Sequence, residues 1–157
     1  MKVLVALDQS DCSEMALDSV LKRKWPANSE FRLISVFEPV ASMCVGWNAS
    51  YVPIGMIEAE QSMRKERKKF VEQKVEEAKK CLADYKICGQ VLDGYANHTI
   101  VEEAEHWNAD LIVLGSHGRS GLSRLFLGSV AEAVAGHARC SVEIIKGHPL
   151  TDDANVA

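Results

Sequence analysis

No apolar run in this 157-residue sequence approaches the roughly 20 residues that a bilayer crossing needs, so neither a membrane-spanning chain nor a membrane partner is expected. The N-terminus, MKVLVALDQS, holds a five-residue apolar run and then turns polar and acidic. It does not resemble a secretory leader, and the chain reads as cytoplasmic. There is no basic excess: 18 Lys and Arg stand against 22 Asp and Glu, a net charge of −4, which argues against a nucleic-acid partner. The local basic run from Arg64 to Lys80 carries i,i+4 pairs such as Lys68/Glu72 and Glu76/Lys80, and reads as a solvated helix face. The five cysteines include no CxxC pair. That speaks against a disulfide framework and against a thiolate metal site, which wants closely spaced ligands.

What is present is an alternation of two patterns. Apolar runs at Lys2–Leu7, Phe31–Phe37, Ile87–Leu92, Leu111–Leu114 and Val142–Ile145 read as strands. Between them lie helical periodicities: Ser10–Lys24, a long one from about Ile57 to Asp84 with Val71, Val75, Ala78 and Leu82 on one stripe, and two shorter ones. The shorter helices are expected to open on the capping boxes Thr99-x-x-Glu102 and Ser129-x-x-Glu132. Leu111–Leu114 has no polar position, as in strands covered on both faces. The order βαβαβαβαβ predicts a single-domain α/β fold, an open five-stranded parallel sheet with helices on both faces. The domain is expected over residues 1–146, with 147–157 as a polar tail.

In such sheets ligands bind beyond the carboxyl ends of the strands, where the strand order reverses. Polar residues fall there: Asp8 and Ser10 after the first strand, Glu38 after the second, Asp93 after the third. The richest piece follows the fourth, Gly115-Ser116-His117-Gly118-Arg119-Ser120-Gly121, and runs on to Gly128-Ser129 at a helix start. Glycines admit close backbone approach and positive φ, and helix N-termini attract anions. His117 and Arg119 add donors. The sequence lacks G-x-x-x-x-G-K-[ST], lacks G-x-G-x-x-G after the first strand, and lacks a G-x-S-x-G elbow. Walker-type NTPases, dinucleotide folds and Ser/His/Asp hydrolases are thereby disfavoured.

Gly115-x2-Gly118-x9-Gly128-Ser129 resembles the G-2x-G-9x-G-[ST] signature of the ATP-binding branch of the universal stress proteins. The likeness extends to KVLVALDQS, to DLIVLGSHGRSG and to His137-x-x-Cys140 before the last strand. It implies a Rossmann-like, adenine nucleotide alpha hydrolase-like fold that binds ATP, AMP or ADP, with Mg2+ or Mn2+ carried by the phosphates. By resemblance, Gly115, Gly118, Gly128, Ser129 and Val130 cradle phosphate and ribose. Asp8 lies near the ribose or a phosphate-bound metal, Ala6 and Leu7 line the pocket, Val36 meets the adenine edge through its backbone, and His117 and Arg119 cover the phosphates. No residue is posed as a strong catalytic base, so slow ATP hydrolysis is the most that is expected. The resemblance further implies a stress or signalling role, a homodimer paired through the last strand, and a protein partner of unknown identity.

Two other readings compete. One is a phosphoacceptor switch with Asp93 as acceptor and Ser116 and Lys146 as its partners. The other is a nucleotide-independent interaction module using the Glu38–Gly55 segment.

Overall fold

The computed structural model describes residues 1–39, 54–118 and 127–147. Nine elements alternate along it: β1 (Lys2–Ala6), α1 (Asp11–Leu21), β2 (Glu30–Phe37), α2 (Ile54–Cys81), β3 (Lys86–Asp93), α3 (Ala96–Trp107), β4 (Leu111–Gly115), α4 (Ser129–His137) and β5 (Ser141–Ile145). The sheet is five-stranded and parallel throughout, in the order β3-β2-β1-β4-β5. The predicted architecture is therefore the observed one. The expected tail falls outside the described residues beyond position 147, as do Arg119 and most of the Glu38–Gly55 segment.

Side chains alternate across a strand, so the central strand β1 feeds two cores. Val3, Val5 and Leu7 join Leu17 and Val20 of α1 and Val71, Val75 and Ala78 of α2 on one face. Leu4 joins Ile112 and Leu114 with Ile100 and Ala104 of α3 and Val134 of α4 on the other. The stripe read from the sequence of α2 is thus its buried face.

The helix boundaries show which local signals act. Ser10 caps α1 by accepting the Ser13 N–H at 3.2 Å. That helix stops at Leu21 rather than Lys24, since the Trp25 indole takes the Val20 carbonyl at 2.9 Å. Neither predicted capping box forms. Helix α3 begins at Ala96 behind Tyr95, with the Ala96 N–H donating to Glu38 Oε1 at 3.3 Å. Its first turn is held by a carboxylate from the end of β2, while Thr99 instead stands over Gly94, whose φ is +137°. In α4 the N-cap position belongs to Gly128 and Ser129 is the first helical residue, with no side-chain cap bond. In α2, Glu76 pairs with Lys79 at 2.8 Å, an i,i+3 contact in place of the expected one to Lys80.

Candidate functional site

The strand order reverses between β1 and β4, and the chain leaves these two strands in opposite directions: α1 covers one face and α4 the other. A crevice must open where those connections part. A cavity of about 460 Å³ occupies it, inside the roughly 300–1,000 Å³ range of small-molecule sites.

Its floor follows from a mismatch of strand lengths. The β1–β2 ladder ends at Ala6↔Ile34, and one further bond joins the Leu7 N–H to the Ile34 carbonyl at 2.8 Å. Strand β2 continues to Phe37, paired only with β3. The backbone around Val36 therefore has no strand neighbour on its β1 side, and Val36 borders the cavity beside Ala6 and Leu7. Buried Ser35 ties this floor together, donating to the Leu7 carbonyl at 2.6 Å and accepting from Arg67 of α2 at 3.1 Å.

Asp8 lies on the cavity wall just past β1. Its Oδ1 accepts from the Ser10 N–H at 3.1 Å and the Ser10 hydroxyl at 2.5 Å. It does not cap α1, because Ser10 does so, and its position is set by a turn through left-handed Gln9 (φ 68°). The Ser10 hydroxyl also lies 3.2 Å from the His117 carbonyl, which stitches the segment after β1 to the one after β4.

Gly115, His117, Gly118, Gly128, Ser129 and Val130 all border the same cavity. The glycines serve close approach rather than special dihedrals, since among the described residues the only glycine at positive φ is Gly94. A Cβ on Gly115 would sit 2.7 Å from the Cys12 backbone carbon, so this glycine lets α1 lie against β4. One on Gly118 would lie 2.8 Å from Asp8 Oδ2, and one on Gly128 would lie 3.1 Å from the Ser116 carbonyl. That carbonyl accepts the Gly128 N–H at 2.8 Å, clamping the two glycine segments together. With glycine at the N-cap, the first N–H groups of α4 face the cavity without side-chain acceptors. Of the residues expected at the site, ten meet at one cavity, and Arg119 lies outside the described residues.

Met63, Arg67, Ala96 and Ile100 also border the cavity and were not anticipated. The signal for the first two existed: Met63 and Arg67 continue the Val71–Val75 stripe backward in steps of four. Arg67 lies inside the basic run from Arg64 to Lys80 that reads as a solvated face, and Met63 immediately precedes that run. The phosphoacceptor reading finds no support in this geometry, because Asp93 is paired with Arg64 at 2.8 Å and is not among the residues around the cavity. No group of three or more His, Cys, Asp or Glu is assembled for a metal among the described residues. None of their helices is long and apolar enough to cross a membrane.

An open parallel α/β sheet with a cavity at its switch point places the chain in the Rossmann-like α/β class. Residues 1–146 match the family model described as the universal stress protein family, and the chain belongs to that family. It is similar to universal stress protein YxiE of Bacillus subtilis, with 33% identity over 150 residues covering 92% of this chain and 98% of the relative. It is also similar to universal stress protein Sll1388 of Synechocystis sp., with 31% identity covering 92% and 97%. Among solved structures, universal stress protein UspA from Lactobacillus plantarum shares the fold with a TM-score of 0.75 at 23% identity, covering 92% and 97%. So do a family member from Arabidopsis thaliana with AMP bound (TM-score 0.62, 18% identity, 99% and 97% covered) and a universal stress protein in complex with cAMP (0.62, 23%, 93% and 96%).

Proposed function

We propose that this chain binds an adenine nucleotide, ATP or its AMP and ADP relatives, in the switch-point cavity. The observation that carries this reading is the convergence there of an unpaired strand edge at Val36, a fixed carboxylate at Asp8 and the uncapped start of α4. Each suits a different part of a nucleotide. A strand edge offers one donor and one acceptor side by side, matching the N1 and exocyclic amine of adenine. A carboxylate accepts from ribose hydroxyls. Open N–H groups at the positive end of a helix receive phosphate. Family members with AMP and with cAMP bound support the same ligand class.

Phosphates pointing at Gly118 and Gly128 would contact backbone rather than side chains, with Arg119 as a further donor. Mg2+ or Mn2+ would ride on the phosphates, and Asp8, which borders the cavity, would be a carboxylate available to it. A positioned base for strong catalysis is not part of this reading, so the role is nucleotide-dependent stress response or signalling in the cytoplasm, with at most slow hydrolysis. A homodimer through β5 completes it. That edge strand presents Val142, Ile144 and Ile145 half-buried, and pairing would cover it. Titration calorimetry with ATP and GTP tests the proposal. Tighter binding of ATP is expected, and equal affinities or none would refute the adenine assignment. Chromatography of nucleotide released on denaturing the purified protein identifies which one it carries.

A further inference from the structure

The β1–β2 ladder stops halfway through a rung. In a parallel pair a residue donates to the carbonyl one position behind its neighbour and accepts from the amide one position ahead. Leu7 makes the first of these bonds, to the Ile34 carbonyl at 2.8 Å. The second, from the Val36 N–H to the Leu7 carbonyl, is not formed, and the register ends at Ala6↔Ile34. The Leu7 carbonyl accepts the Ser35 hydroxyl instead, at 2.6 Å.

The direction of that bond is fixed by Arg67. A guanidinium can only donate, so Ser35 Oγ accepts from it at 3.1 Å and gives its single hydrogen to Leu7. Ser35 is 1% exposed and is not among the residues around the cavity, so neither water nor ligand competes for that hydrogen. Because it reaches Arg67 of α2, the Ser35 side chain stands on the α2 face of the sheet. Its hydroxyl meets the Leu7 oxygen from that face and holds the carbonyl off the line to Val36. The neighbouring bonds show where the free donor points. Ile34 accepts on the β1 side, from Leu7, and Phe37 accepts on the β3 side, from Gly94 at 3.0 Å. Alternation puts the Val36 N–H and carbonyl on the β1 side, at the end of the sheet where Val36 borders the cavity.

We infer that Ser35 is a positioning residue: its hydroxyl ends the ladder at Leu7 and so keeps the Val36 N–H free for an acceptor atom of the ligand's base. This rests on the nucleotide reading for the identity of the ligand, but not for the ladder. Ser35 itself touches no ligand. Without its hydroxyl the Leu7 carbonyl and the Val36 N–H complete the rung, and a base would have to break that bond to reach the donor. Arg67 secures the arrangement from α2 by holding the serine oxygen.

Amide hydrogen exchange of the full-length protein, followed residue by residue by nuclear magnetic resonance, reads the rung directly. Without nucleotide, the wild-type Val36 amide is expected to exchange roughly tenfold or more faster than that of Leu7. In Ser35→Ala the ratio of the two rates is expected to fall roughly tenfold as the rung closes. Simple loosening of the structure would not slow Val36 relative to Leu7. A wild-type Val36 amide as protected as Leu7 overturns the inference without any variant having to fold, and so does an unchanged or higher ratio in Ser35→Ala. Calorimetry with ATP and 1-deaza-ATP, whose base has C–H in place of the N1 acceptor, reads the use made of the donor. Wild type is expected to prefer ATP by roughly threefold to tenfold, and Ser35→Ala to bind the two within about twofold of each other. An undiminished preference in Ser35→Ala overturns the positioning role and leaves the nucleotide reading standing. A wild type that binds neither compound overturns that reading, while the exchange rates still decide what Ser35 does to the ladder.

Discussion

Gly115 and Gly118 belong to one motif and should respond to alanine in opposite ways. At Gly115 the new Cβ would lie 2.7 Å from both the carbonyl carbon and the Cβ of Cys12, and 2.9 Å from its oxygen. Those atoms are the first turn of α1, so nothing flexible can move aside. The helix must retreat by about 0.7 Å to reach an ordinary 3.4 Å contact, pulling Ala16, Leu17 and Val20 from the sheet. Overpacking of this kind costs about 1–3 kcal/mol, which for a domain of this length lowers Tm by about 2–12 °C. At Gly118 the atom met is Asp8 Oδ2, 2.8 Å away, at the end of a side chain. That oxygen can swing without moving the backbone, but swinging breaks the Oδ1 bonds to Ser10 that fix the carboxylate. Thermal melts of wild type, Gly115→Ala and Gly118→Ala with and without ATP separate the two effects. Wild type should gain about 2.7 kcal/mol at a hundredfold excess of ATP over its Kd, and Gly118→Ala less than half of that. A Gly115→Ala protein melting with the wild type would refute the packing argument. A Gly118→Ala protein with the full ATP shift would refute the placement of the site.

Further outcomes follow from the same structure. Ser129→Ala should cost under about 0.5 kcal/mol in the absence of ligand, because Gly128 holds the N-cap position and Ser129 makes no cap bond. Arg32 pairs with Glu103 and stacks over Trp107 at 4.4 Å. Glu103→Ala should therefore cost about 2–4 kcal/mol in urea unfolding, since it strands a largely buried guanidinium, and Arg32→Met should cost less. The Glu143 carboxylate is held below its ordinary pKa by its hydrogen bond to Arg23 and the attraction of that charge, against a smaller cost of burial. Its contribution is present above the ordinary carboxylate pKa and lost as pH falls through the lowered folded value. Glu143→Gln should thus cost up to about 1 kcal/mol at neutral pH and nothing in strong acid. Sedimentation at micromolar concentration should give a dimer, and an added Val142→Lys should give a monomer; a wild-type monomer with and without ATP would count against pairing through β5.

The sheet was legible because its signals are periodic. Buried parallel strands are short apolar runs, and the α2 stripe at Val71, Val75, Ala78 and Leu82 repeats with the helix. The glycine spacing also led to the end of the sheet where the cavity lies. What could not be read were features decided by distant neighbours. Thr99 has the sequence of a cap, yet Glu38, 58 residues away from Ala96, supplies the acceptor to the first turn of α3. Ser129 matches a capping box, but the clamp between Gly128 and Ser116 starts α4 one residue earlier. Arg67 was hidden in a basic run because its partner, the Ser35 hydroxyl, lies 32 residues away in sequence. The three glycines looked alike in the chain, and only packing shows that Gly115 faces a helix while Gly118 faces a carboxylate.

The difference in length between β1 and β2 has a consequence for how this protein can be studied and how it can vary. The groups at Val36 proposed to meet the base belong to the main chain, and every amino acid except proline supplies both of them. An alanine scan would therefore pass over Val36 with little change in affinity, and natural variation could alter that position freely without altering the ligand. Replacing the Val36 amide by an ester through semisynthesis removes the donor and leaves the side chain untouched. Information of this kind is carried by where a strand stops, and it is invisible to any comparison of the side chains at Val36.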